Sequence, residues 1–172
     1  MPRAPALRRG KAPSTSNVSD LDRAKEAAYR LLAYRSRSVA ELAGRLKEKG
    51  FEEDTVEGVV ERLKELRLLD DDDFARRFAR ELAEVKGYGR FVIAARLREK
   101  GVDGEVAEGA LKSAFLNWSE FESARKLAEK KVKQQPLTQK ERGRIGRFLQ
   151  GRGYPFEIIT DVLKGLDERD GN

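Results

Sequence analysis

The sequence contains no cysteine and no histidine, one tryptophan and one methionine. Without cysteine there is neither a disulfide frame nor a thiolate zinc site. Without histidine the commonest general base and the commonest transition-metal ligand are missing, which sets aside most hydrolase arrangements. No run of 18 or more apolar residues occurs, so no segment reads as a membrane-spanning helix. Sustained apolar/polar alternation is also missing, and no sheet is expected. The stretch from Met1 to Pro13 lacks a continuous apolar core and does not read as a secretory signal, so a cytoplasmic protein is expected.

Charge and helical periodicity fill the space these absences leave. Charged residues make up 38% of the 172 positions and hydrophobic ones 39%, a balance that suits stacked amphipathic helices better than one deep core. Three segments end a helix in the same way: Leu46-Lys-Glu-Lys-Gly-Phe51, Leu97-Arg-Glu-Lys-Gly-Val102 and Leu149-Gln-Gly-Arg-Gly-Tyr154. Glycine just past a helix supplies a positive φ without a Cβ clash, and the apolar residue after it folds back on the last turn. Gly50, Gly101 and Gly153 are spaced 51 and 52 residues apart, which marks three copies of one unit.

The buried positions repeat with the caps. In the first copy Ala24, Ala27, Ala28, Leu31 and Leu32 share one face, followed by Leu42 and Leu46, then Val56, Val59, Val60 and Leu63. Phe74, Phe78 and Leu82, then Ile93 and Leu97, then Ala107, Ala110, Leu111 and Ala114 form the second set. The third runs through Phe121, Ala124, Leu127, Ala128, Ile145, Leu149, Ile159, Val162, Leu163 and Leu166, with Pro155 opening its last helix. Ser38 with Glu41 and Thr138 with Glu141 read as capping boxes.

The expected fold is all-α: an elongated, curved array of three tandem three-helix repeats, spanning residues 20–69, 70–117 and 118–168. A disordered basic tail is expected over 1–19 and a short C-terminal tail over 169–172, with helices of about 10–15 residues.

The net charge of +6 is uneven. Arg125 to Arg152 hold ten Lys/Arg against Glu129 and Glu141. Lys126, Lys130 and Lys133 recur at helical spacing, as do Lys140, Arg144 and Arg147, and Arg152 follows. These seven are the candidate contacts for a polyanion or an acidic protein surface. Asp70 to Asp73 offer four adjacent carboxylates to Mg²⁺, yet they directly precede a helix, where acids cap free N–H groups. Capping is the better reading, and no metal, cofactor or catalytic residue is assigned. Lys86-Gly-Tyr-Gly-Arg90 lacks the spacing of a phosphate loop and reads as a turn. Trp118 and Tyr154 read as packing residues rather than base-stacking ones.

The chain resembles the bacterial regulatory protein RecX family. The resemblance rests on Ser38-Val-Ala-Glu-Leu42 leading to Leu46-Lys-Glu-Lys-Gly-Phe51, and on Leu68-Leu-Asp-Asp-Asp-Asp-Phe-Ala75. Lys86-Gly-Tyr-Gly89, Leu97-Arg-Glu-Lys-Gly-Val102 and Arg147-Phe-Leu-Gln-Gly-Arg-Gly-Tyr154 complete it, over roughly residues 24–166. Two departures stand out. Arg67 occupies a place where the family often has glycine, so that helix end is expected to close differently, and the turn at Gln134-Gln-Pro136 is longer than its counterparts.

The resemblance implies a non-enzymatic, monomeric modulator of the recombinase RecA. Such proteins lie in the groove of the RecA filament on single-stranded DNA and restrain ATP hydrolysis, strand exchange or filament growth. The alternative is a RecA-independent DNA-binding protein built from helix-turn-helix-like units. Weak direct DNA contact is compatible with both.

Overall fold

A computed structural model describes residues 15–133 and 136–167 of the chain. Among them are nine α-helices and no strand: α1 (Thr15–Tyr34), α2 (Val39–Glu48), α3 (Glu53–Glu65), α4 (Asp71–Arg80), α5 (Arg90–Glu99), α6 (Gly104–Leu116), α7 (Glu120–Glu129), α8 (Gln139–Gly151) and α9 (Phe156–Asp167). Three consecutive triplets of helices follow the three sequence repeats. Residues 1–14, the turn residues Gln134 and Gln135, and residues 168–172 lie outside the described residues.

Helix α1 differs from expectation at its start. It begins at Thr15, inside the segment read as a tail, and its 20 residues exceed the expected length. The physical reason is simple: Pro13 is the last helix breaker, and no Gly or Pro interrupts the chain between it and Tyr34. A second addition lies beyond α4, which continues into a π-helical turn over Glu81–Val85. Pro155 stands one residue before α9, and its carbonyl accepts the Ile159 N–H at 3.1 Å.

The described residues form two compact units. In the first, which holds α1, most of α2 and all of α3, the expected small face of α1 (Ala24, Ala27, Ala28) is buried, and α1 packs on α3. Leu42 and Leu46 of α2 and Val56, Val59 and Leu63 of α3 are fully inside. Leu31 and Leu32 are half-buried.

The second unit comprises Arg37–Glu41 and the chain from Leu69 onward. It has two apolar clusters. One gathers Phe74, Ala79, Leu82, Ile93, Leu97 and Ala110. The other gathers Ala128, Ile145, Leu149, Tyr154, Ile159 and Val162. The expected core positions occupy both, although Phe78, Leu111, Phe121, Leu127 and Leu163 pack at the edges, half-buried.

The three glycine caps have one geometry. Phe51, Val102 and Tyr154 each donate their N–H five residues back, to Leu46, Leu97 and Leu149 carbonyls at 3.3, 3.1 and 3.2 Å. Gly50, Gly101 and Gly153 donate to Lys47, Arg98 and Gln150 carbonyls at 2.9, 2.8 and 2.9 Å, with φ of 88°, 70° and 83°. These paired bonds satisfy helix-end carbonyls that would otherwise be orphaned.

The end of α3 closes in the same way rather than differently. Leu68 donates to the Leu63 carbonyl and Arg67 to the Lys64 carbonyl, both at 2.9 Å, with Arg67 at φ 53°. Among the described residues Arg67 alone adopts positive φ without being glycine. Its Cβ makes that conformation costly, and the apolar residue after it holds the cap in place.

Two predictions follow from the caps. Arg67→Gly should raise stability by about 0.5–1 kcal/mol, because relief of the left-handed strain outweighs the added chain entropy; urea denaturation checks this. Gly50→Ala should cost about 1 kcal/mol through φ alone, its Cβ meeting open space. Gly153→Ala should cost clearly more in the same assay, since its Cβ would stand 2.4 Å from the Val92 backbone nitrogen.

Candidate partner-binding surface

The acidic run does what its position dictates. Asp70 caps α4, its side chain accepting the Asp73 N–H at 3.1 Å. Asp72 and Asp73 pair along the helix with Arg76 and Arg77. Asp71 turns elsewhere, accepting the backbone N–H of Val39 at 2.8 Å. No group of three or more metal-ligating side chains is found among the described residues.

That Asp71 contact has an equivalent later in the second unit. Glu120 follows the cap of α7 as Asp71 follows the cap of α4, and it accepts the N–H of Arg90 at 2.9 Å. Val39 and Arg90 are the first residues of α2 and α5. The residue before each helix is tied to the glycine-capped end of another: Ser38 Oγ donates to the Lys100 carbonyl, and Gly89 N–H donates to the Arg152 carbonyl at 2.9 Å. Ser38 Oγ also accepts the Glu41 N–H at 3.1 Å, one arm of the expected capping box. The Glu41 carboxylate meets Lys100 at 3.1 Å and the buried Arg37 at 3.4 Å. Helix α8 has its own arrangement, the full Thr138–Glu141 capping box.

The second of these contacts is reinforced by side chains. Glu120 is buried and holds the Arg90 side chain at 2.7 Å as well as its backbone. Phe91 N–H donates to the Gly153 carbonyl at 3.1 Å, and a Cβ on Gly89 would strike that carbonyl at 2.4 Å. Here glycine is required by close approach of two backbones. Tyr154, only 2% exposed, donates its hydroxyl to the Gly87 carbonyl at 3.1 Å. Burial pushes its phenol up to about 12, the Glu120 charge adding to the rise and Arg152 opposing it. Tyr154 is therefore a packing residue, as its place in the sequence implies. Trp118 packs against the first apolar cluster of the unit.

The structure sorts the ten cations between Arg125 and Arg152. Arg125 pairs with Glu122 and Glu129, and Arg142 with Asp167. Arg144 donates to the Lys131 carbonyl at 2.8 Å, bracing the chain beyond α7. Arg152 donates to the Lys86 carbonyl at 2.6 Å. It also lies 5.1 Å from the Tyr88 ring centre and 5.4 Å from that of Phe148, while Arg96 covers Tyr88 and Lys131 covers Phe148. Such stacking holds a cation beside an aromatic face and leaves that face unavailable to a base.

The other five candidates, Lys126, Lys130, Lys133, Lys140 and Arg147, are exposed and make no ion pair among the described residues. Of the seven expected contacts, then, Arg144 and Arg152 serve the fold and five remain available. Tyr88 and Arg90 stand in the segment read as a turn, and Glu120 was not among the candidates. The sequence signal for Glu120 is register: an acid directly after the cap in both the second and third repeats.

Family models match three successive segments of the chain: the RecX first three-helix domain at residues 24–63, the second at 70–111 and the third at 119–163. The chain belongs to the RecX family. The regulatory protein RecX of Prosthecochloris aestuarii is 35% identical over 152 residues, covering 86% of this chain and 96% of its own. That of Mycolicibacterium vanbaalenii is 33% identical over 176 residues, covering 91% and 95%. The crystal structure of RecX from Lactobacillus salivarius superposes with a TM-score of 0.77 at 24% identity, over 87% of this chain and 97% of that one, and shares the fold. RecX is a regulatory family rather than an enzyme family, and no helix among the described residues is long and apolar enough to cross a membrane.

The raised Tyr154 phenol gives a pH prediction. A folded-state value above the ordinary one near 10 means its contribution is complete below about pH 10 and is lost as pH rises towards about 12. Tyr154→Phe should be less stable than the parent by about 1 kcal/mol at neutral pH, through the lost hydrogen bond. The gap should close across that alkaline window, as followed by chemical denaturation at fixed pH values.

Proposed function

We propose that this chain is a stoichiometric regulator of the recombinase RecA. It binds RecA filaments on single-stranded DNA in the cytoplasm, lying as a monomer in the filament groove. There it restrains ATP hydrolysis, strand exchange and filament growth. The observation that carries this reading is the presence of all three RecX three-helix domains, in order, across one chain. The five available cations of the third repeat support it, because cations without internal partners attract acidic protein surfaces and phosphates alike. No cofactor or metal takes part.

Addition of the protein to RecA filaments should lower both the ATPase and the strand-exchange rate below saturating amounts. Unchanged rates, with no co-sedimentation, would overturn the reading. Charge reversal at Lys130, Lys140 and Arg147 together should weaken filament binding about tenfold while the helical circular dichroism stays intact. Arg144→Glu should instead lower the thermal midpoint, since it breaks the tie to the Lys131 carbonyl. The same free cations support the second reading, direct DNA binding. It requires DNA affinity without RecA, with a salt slope that falls by about one for each cation that contacts a phosphate.

A further inference from the structure

Within the second unit, an open groove of about 750 Å³ runs between α5, α8 and α9. Val92, Ala95, Ile159 and Leu163 line it with carbon. Phe91 and Phe156 also line it, although 62% and 77% of their surfaces remain exposed. The Phe91 backbone is anchored by its N–H to the Gly153 carbonyl, and Phe156 follows the buried Tyr154 by two residues. Large apolar side chains exposed together at the mouth of a groove mark a contact surface.

Two glycines of α8, Gly143 and Gly146, also line the groove. Each weakens the helix by about 1 kcal/mol relative to alanine. Nothing among the described residues requires either. Neither has positive φ. A Cβ on Gly146 would meet Ile159 and Leu163 at an ordinary 3.8 Å, and one on Gly143 would meet only the tip of Arg147 at 3.4 Å. Their smallness keeps the groove empty for something from outside.

The ionisable groups lining it at neutral pH are Arg142 and Lys164, both cations, with no carboxylate among the lining residues. Arg142 is paired with Asp167, and Lys164 is exposed and has no ion pair among the described residues. Lys164 on the lining and the tip of Arg147 beside Gly143 are two free cations at a mostly carbon surface, fewer than the row that a nucleic-acid backbone calls for. Such a surface suits an apolar face bordered by a carboxylate. Helix α9, with 12 residues and therefore about 18 Å long, offers a wall for roughly three turns of helix.

We infer that this groove docks a helical segment of a RecA protomer, its apolar face against Phe91 and Phe156 and an acidic side chain against Lys164. The identity of the partner rests on the function proposed above. The test is quantitative co-sedimentation of the full chain with RecA filaments assembled on single-stranded DNA. Gly146→Leu, which plugs the groove, and the double variant Phe91→Ala/Phe156→Ala, at exposed positions, should each weaken binding about tenfold. Lys164→Glu should weaken it in the same direction. Gly146→Ala, whose methyl fits, should bind like the parent, and all variants should keep the helical circular dichroism.

Parent-like binding by both the plug and the double-phenyl variant would overturn the inference and leave the proposed function standing. If the parent itself does not sediment with the filaments, the proposed function fails and the inference fails with it. A dimer of the parent in sedimentation velocity that Gly146→Leu disperses would assign the groove to a second copy of the chain, and would also overturn it.

Discussion

A helix begins with backbone N–H groups that no residue within it can satisfy, and this structure is organised by how those groups are met. At the first residues of α2 and α5 the acceptor is a carboxylate that stands at the start of a later helix, Asp71 for Val39 and Glu120 for Arg90. The residue before each is tied to a glycine-capped carbonyl end, through Lys100 and Arg152. One helix start and one helix end thus complete each other, the positive end of one dipole meeting the negative end of another. Helix α8 instead carries its own Thr138–Glu141 box. A shared capping rule joins Arg37–Glu41 to the chain that follows in the second unit, while α8 is capped locally.

This rule also decides which charges are free to act. Glu120, Asp71, Arg90 and Arg152 look like surface charges in the sequence, but they are committed to backbone groups or to one another. What remains is a smaller set of exposed cations on the third repeat, together with an apolar groove between α5, α8 and α9 that Gly143 and Gly146 help to line. Charge and carbon also meet at the groove, where Lys164 stands beside Ile159 and Leu163. A partner that is both acidic and partly apolar can use both, whereas a bare polyanion can use only the first.

The fold was largely legible because its signals are local. Periodic alanines, leucines and valines marked the buried faces, and the three glycine caps marked the helix ends. Two local readings needed correction. Thr15 to Ser19 extend α1, since nothing there breaks a helix. Arg67 closes α3 as glycine would, because the bond from Leu68 to the Leu63 carbonyl holds the turn against the strain of a side chain. Spacing along a helix marks a cation as a candidate contact, but it does not tell one that reaches solvent from one that reaches a carbonyl far along the chain. Arg144 and Arg152 fell on the second side of that line.

By itself the sequence determined the class of fold, the repeat, the caps and the family, all of which depend on residues close together in the chain. Tertiary structure alone decided the fate of the polar side chains that reach beyond their own helix. Asp71 could have closed its own helix but faces Val39, and Tyr154 lost its hydroxyl to the Gly87 carbonyl. The groove at Phe91 and Phe156 exists only because α5, α8 and α9 meet. A hydrogen bond or a groove depends on which distant groups arrive within about 3 Å or a side chain's length of each other. Periodicity carries no record of that distance.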